Sequence, residues 1–407
     1  MSVRDLPIAE LRQERRWIFF LGDFAILKEF FAQKKGFWHI GRLFDALLRG
    51  FGQTVFSNNP LSGLLIIATL AVIAPGTLAL SAIAGVLGLL VSVLLQEPQD
   101  NVENGLSVLN PLLVGVVSCV MIPRFYGAFD AFSLLHLLVA VIISVYLARS
   151  LGSDKFSCTA WPFNLVEFAL IFALSAQNGT GVVTRSVEPM FEMHNATSET
   201  TTTDDVGFYT RNATNIDWGM VLQGSVVSLS QLYGMENIVV GSVMYLAMLL
   251  YSPTTVAFSF LGALGGTLIG LELGADHNEV YSGFWGYNSL LTGAALGGNL
   301  LVLNAHTAAA TILAIIYTAL LQFSIKMIFI NTQLPILTLP FVIAVSMFLK
   351  LSNGKEDPMF PWPVSISSPE KQRYDYLARR AAIREEDTSE EVEVVVQNEK
   401  KPTSSNN

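Results

Sequence analysis

Two short stretches carry the residues that could do chemistry. FGQTVFSNNPLSG (51–63) places Gln53, Asn58, Asn59 and Pro60 where the chain turns strongly apolar, and SQLYGMENIVVG (230–241) does the same with Gln231 and Asn237. Gln53 and Gln231 are 178 residues apart (231 minus 53), and so are Asn59 and Asn237, and Gly63 and Gly241. Amide side chains donate and accept hydrogen bonds without titrating. Taken singly, such a glutamine can simply satisfy backbone groups at a helix end. A doubled set at one spacing asks what structure repeats it.

The spacing holds further along. Gly105 pairs with Gly283, Asn110 with Asn288, Leu113 with Leu291 and Gly115 with Gly293, in GLSVLNPLLVG and GFWGYNSLLTG. Pro162-Phe163 pairs with Pro340-Phe341. Three motifs in one register without a gap read as an internal duplication. In a membrane chain this is the inverted-topology repeat of channels and secondary transporters, in which interrupted segments at matching positions mark the permeation site.

The elements that must position these residues are membrane spans. Of 407 residues, 52% are hydrophobic and 14% charged, against about 25% charged in soluble domains. Residues 60–96 and 237–271 carry no charged side chain, and runs of this length read as transmembrane helices. Apolar segments are expected at 61–75, 77–95, 106–122, 132–150 and 158–177, then 237–252, 254–272, 284–302, 306–330 and 334–351. Pro75-Gly76 and Ser252-Pro253 divide the longest runs. Before each set of five lies a half-polar segment, 41–57 and 219–235, too short to cross and readable as a re-entrant half-helix.

The organisation expected is a 1–40 cytoplasmic segment, a 41–177 first membrane repeat, a 178–217 loop, a 218–351 second repeat and a 352–407 cytoplasmic acidic tail. The loop holds three Asn-X-Thr sequons, at Asn178, Asn195 and Asn212, which suggests glycosylation on an outside face. Residues 1–50 and 350–407 carry nine Lys/Arg each and the loop two, so both termini read as cytoplasmic. The net charge of −9 is concentrated in the tail, where six acidic residues between Glu385 and Glu393 read as a solvated segment. No cleaved signal peptide is visible. Cys119 and Cys158 sit in apolar context and read as small buried hydrophobes rather than a disulfide.

With these motifs in place, the chain resembles the urea transporters. The resemblance rests on FGQTVFSNNPLSG, SQLYGMEN, VYSGFWGYNSLLTG and LPILTLPF (334–341), the last matching the family signature Leu-Pro-x-x-Thr-x-Pro-Phe, and it covers about residues 40–351. It implies the urea-transporter fold: an all-α integral membrane protein of two inverted-topology repeats, each five transmembrane helices plus one re-entrant half-helix. It also implies a plasma-membrane homotrimer with one pore per subunit, passing urea down its gradient without a cofactor or metal. Gln53 and Gln231 then match the half-helix glutamines at the pore entrances. Phe56 and Tyr287 match slot aromatics, Leu113 and Leu291 the narrowing at the centre, and Thr338 a hydroxyl that accepts from urea.

The departures are as informative. The register sends Thr338 to Ala160, with Thr159 one residue early, and Leu109 stands where the second half has Tyr287. The first-half wall is therefore the more apolar, which keeps other small neutral or amine solutes (ammonia, water, short amides, polyamines) open as an alternative. By residue type alone Leu113 and Leu291 are core leucines, Tyr287 an interfacial anchor and Thr338 a threonine bonding back to its own helix. Asn110 and Asn288 read as caps that hold the fold. Glu167 is a carboxylate early in a span with Val345 as its repeat partner, so a functional role is open. An enzyme would need a cluster of ionisable groups facing one cavity. The spans offer only Glu167 and Lys326, while Asp276-His277 and Glu279 lie in a loop.

Overall fold

The computed structural model describes residues 21–34, 36, 38–152, 160–177, 216–330 and 334–383. The three sequons, Cys158, Thr159 and the Glu385–Glu393 cluster lie outside the described residues. Among the described residues the chain is all α, without a strand.

A short helix α1 (Ala25–Ala32) leads into α2 (Trp38–Gln53), whose exposed start carries Trp38 and Ile40 and whose last turns, from Arg49 to Gln53, are buried. Then come α3 (Pro60–Ile73), α4 (Pro75–Leu94), the short α5 (Gln99–Glu103), α6 (Leu106–Phe125), α7 (Ala131–Leu151) and α8 (Trp161–Gln177). The second half runs α9 (Trp218–Val227), a tight turn at Ser230–Tyr233, α10 (Ile238–Tyr251), α11 (Pro253–Glu272), α12 (His277–Tyr281), α13 (Tyr287–Ala294), α14 (Ala305–Phe329) and α15 (Leu339–Leu349). Five helices (α4, α6, α7, α11 and α14) are long and apolar enough to cross a membrane, and five shorter apolar helices accompany them.

The register of the sequence reappears in the element bounds. Shifting α3, α4 and α5 by 178 gives the first and last residues of α10, α11 and α12. The caps follow. Asn59 Oδ1 accepts from Leu61 N at 2.8 Å and Asn237 Oδ1 from Val239 N at 2.8 Å, each satisfying a backbone donor that a helix start leaves unpaired. Pro60 occupies the first helical turn, where its missing N–H is no loss. Close packing also repeats: a Cβ on Gly63 would lie 1.7 Å from Leu48 O, and one on Gly241 2.3 Å from Val226 O.

One predicted span differs. Residues 284–302 form no single helix: α13 gives way at Ala295–Asn299 to a wide turn with non-helical backbone at Gly297 and Gly298. Gly298 has φ 125°, and a Cβ on Gly297 would meet the Phe258 ring at 2.4 Å. The matching stretch of α6 has no glycine pair and stays helical past Pro111. Residues 354–372 pack on the helical body rather than lying free, with Val302 N donating to Pro361 O at 2.9 Å and Ser252 Oγ to Glu370 Oε1 at 2.8 Å. Lys371 pairs with Asp23 at 2.9 Å, and Gly22 N donates to Leu250 O at 3.1 Å, so both terminal segments seat on the same end. Cys119 is half-buried and accepts from Thr77 Oγ1 at 3.8 Å.

Candidate functional site

The end of α2 and the turn after α9 bring the two glutamines to equivalent places. Gln53 Nε2 donates to Asn104 O at 2.9 Å, and Gln231 Nε2 donates to Ser282 O at 2.6 Å. Asn104 and Ser282 are themselves one register apart. Each glutamine thus ties its segment to the backbone just ahead of the next long element, leaving its carbonyl oxygen outside that bond. The helix-end role and the binding role are therefore compatible.

Beyond each glutamine the chain takes a left-handed residue, Phe56 at φ 56° and Gly234 at φ 65°. Glycine adopts this conformation freely, and an aromatic residue does not. The first half holds a ring there at the cost of backbone strain, while the second has none. Phe56 packs edge-on against Phe341 at 6.1 Å between centroids. Tyr233, next to Gly234, is buried and reaches across to the first half, its Oη 2.6 Å from Thr54 Oγ1.

At the centre, α8 and α15 present their starts to one another. Thr338 precedes α15 and Ala160 precedes α8. Asn164 Nδ2 donates to Thr338 Oγ1 at 2.8 Å and to Ala160 O at 2.8 Å, while Thr338 N donates to Asn164 Oδ1 at 3.2 Å. Among the described residues no acceptor takes the Thr338 hydroxyl proton, so it does not bond back to its own helix. Tyr287 Oη donates to Leu337 O, and Asn288 Nδ2 reaches the same carbonyl at 3.4 Å. Asn110 Oδ1 accepts from Phe163 N at 3.1 Å, so one asparagine holds the first turn of α8 and the other the segment ahead of α15. Leu113 and Leu291 lie in the same buried cluster as Tyr287 and Ala160, with Phe56 and Leu109 half-buried against it.

Exposure marks one face. Leu113 is 9% exposed while its neighbours Leu112 and Val114 are at 0%; Thr338 is 9% and Tyr287 8% exposed, and Asn288 is at 0%. Leu113 and Tyr287 thus keep exposed area that these neighbours have lost, while Thr338 lies between Leu337 at 8% and the half-buried Leu339.

Other charges the sequence singled out are engaged elsewhere. Glu167 is fully buried against α6, where Ser118 Oγ donates to it at 3.1 Å. Lys326 pairs with Glu279 at 2.5 Å and lies 5.4 Å from the Trp285 ring centroid. Asp276 caps α12 through Asn278 N at 2.7 Å. Three residues escaped the sequence reading. Arg49, at 0% exposure, holds Asp45 at 2.8 Å and the backbone oxygens of Asp23 and Asn58. Asn104 also takes Lys28 and Asn58 on its side-chain oxygen. Desolvation first, then the Arg49 charge, pulls the Lys28 ammonium down to about 8. Asn164 had one available signal, its place a helical turn after Ala160.

Among the described residues these features define a multi-pass helical membrane protein whose helices are interrupted at matching places in its two halves. A family model described as "Urea transporter" matches residues 44–353. The chain belongs to the urea transporter family, a family of transporters and not of enzymes. It is similar to "Urea transporter 1" of sheep (Ovis aries) and of goat (Capra hircus), each 29% identical over 342 residues, covering 82% of this chain and 83% of the relative. The protein of the same name from Rattus norvegicus is 27% identical over 344 residues, covering 83% and 85%.

Proposed function

We propose that this chain carries urea passively across a membrane, through a pore at the interface of two inverted repeats, with Gln53 and Gln231 near opposite mouths and Thr338 near the middle. The observation that carries the reading is the matched pair of glutamine-to-carbonyl bonds, Gln53 to Asn104 and Gln231 to Ser282, at one register. The shared bounds of α3, α4, α5 and α10, α11, α12 support a duplication, and reading five spans in each half, an odd number, supports opposite orientations of the two. Family membership supports the solute.

The chemistry suits urea. Stripping water from a neutral, flat molecule with two NH2 groups and a carbonyl costs several kcal/mol per group if nothing replaces it. Glutamine carbonyls, the Thr338 hydroxyl and free backbone oxygens replace it stepwise. Phe56, Leu109, Leu113, Tyr287 and Leu291 confine a planar solute and offer a hydrated ion nothing. No group on this path has to titrate, so neither proton nor sodium coupling is needed. Both termini are cytoplasmic in this reading, in keeping with the two terminal segments seated on one end. The 178–217 loop faces outside and is glycosylated, the membrane is the plasma membrane, and the assembly is a homotrimer.

The second reading, a pore for ammonia, water, short amides or polyamines, draws on Ala160 and Leu109, apolar residues at the register positions of Thr338 and Tyr287. Solute flux into proteoliposomes separates the two. Weakly saturating urea flux that is insensitive to sodium and pH and falls in Thr338→Val is expected. Absent urea flux from correctly inserted protein rejects urea as the solute.

A further inference from the structure

We infer that Asn164 positions Thr338 so that the middle of this pore offers the solute a hydrogen-bond donor. The inference rests on the urea-pore reading and concerns how its central residue works. An asparagine NH2 can only donate, so the Asn164 Nδ2 contact at 2.8 Å makes Thr338 Oγ1 an acceptor. Asn164 cannot be reversed end for end. Its Nδ2 also faces Ala160 O at 2.8 Å and its Oδ1 faces Thr338 N–H at 3.2 Å, so a flip would set oxygen against oxygen and N–H against N–H. The threonine is held at its backbone and its side chain by one fully buried residue.

The consequence concerns the remaining proton. With Asn164 filling one lone pair, the Thr338 hydroxyl hydrogen has no acceptor among the described residues, and Thr338 keeps 9% exposure. That proton is left for a passing carbonyl. The register partner of Thr338 is Ala160, which has no hydroxyl, so the hydroxyl of Thr338 is not duplicated at the matching position of the first half. Asn164, one turn beyond Ala160, contributes to the site through Thr338. The solutes this favours are small neutral molecules with a strong carbonyl acceptor, urea and short amides. Thiourea, with a sulfur in place of that oxygen, gains little.

The test compares urea and thiourea flux in proteoliposomes for the wild type, Asn164→Ala, Asn164→Ser, Thr338→Val and the Asn164→Ala/Thr338→Val pair. The serine hydroxyl can satisfy Ala160 O within its own helix but is too short to reach Thr338, so this variant keeps the helix intact if alanine does not. Loss of one oriented hydrogen bond is expected to lower urea flux about fivefold. Thiourea flux should change less, so the urea-to-thiourea ratio falls in both Asn164 variants, and Asn164→Ala should lower it no further once Thr338 is valine. An unchanged ratio in the Asn164 variants overturns the inference and leaves the urea pore standing. A ratio that falls equally with or without Thr338 also overturns it, since Asn164 would then act independently. No urea flux in the wild type overturns the pore reading and the inference with it.

Discussion

Arg49 carries a full charge at 0% exposure and spends it on Asp45 and on two backbone oxygens at 2.8 and 2.9 Å. Those oxygens belong to the terminal segment and to the turn ahead of α3. One guanidinium therefore fixes the end of α2, the turn after it and residue 23 together. Breaking one side of a buried ion pair strands the other charge, at about 3–5 kcal/mol. Arg49→Met is expected to lose that much stability, while the double variant Arg49→Met/Asp45→Leu recovers part of it. Thermal unfolding in detergent checks both. The same scale explains how Gln53 and Gln231 are held: an amide has separate donor and acceptor atoms, so bonding the NH2 to a carbonyl leaves each oxygen outside that bond.

At the scale of elements, the interrupted helices matter more than the long ones. The α2–α3 and α9–α10 crossings bring backbone against backbone, with Gly63 facing Leu48 O and Gly241 facing Val226 O. At 1.7 Å no side-chain motion could admit a methyl group on Gly63, since the obstructing atom is main chain. Gly63→Ala is expected to separate α2 from α3, move Gln53 off Asn104 O and abolish monodisperse protein in size-exclusion chromatography. Gly76→Ala, where only Cys119 Sγ comes within 4.0 Å, should elute as wild type. The break at Gly297-Gly298 has a comparable logic. The phenylalanine ring at 258 occupies the space that a straight helix with side chains would need.

At the scale of the whole molecule, the terminal segments are part of the folded body. The strap from Gly354 to Gln372 reaches Val302, Ser252 and Asp23, and helical residues 369–383 follow from it. A chain ended at Leu351 gives up these contacts together. It should melt several degrees below the full chain, in keeping with losses of about 1 kcal/mol for each buried hydrogen bond. Scanning calorimetry of the two proteins tests this, and equal melting temperatures would show the strap to be incidental.

The sequence by itself determined the class and most of the apolar helices, and it carried the 178-residue spacing. An apolar run of membrane length admits few structures, and one spacing carries caps and glycines together, so Asn59 and Asn237 were legible as a pair before their hydrogen bonds were known. The 284–302 segment was misread as one span because hydropathy counts apolar side chains and is blind to a glycine pair that meets a ring from another helix. Thr338 was legible through its signature, but its partner was not. Asn164 stands 174 residues away in sequence and off the 178 register. Only the packing of α8 against α15 brings the two within 2.8 Å and decides which of them donates. Arg49 and Asn104 were missed for the same reason. Their significance lies in backbone oxygens that converge from distant parts of the chain, and no local pattern of residue types records where a carbonyl will point.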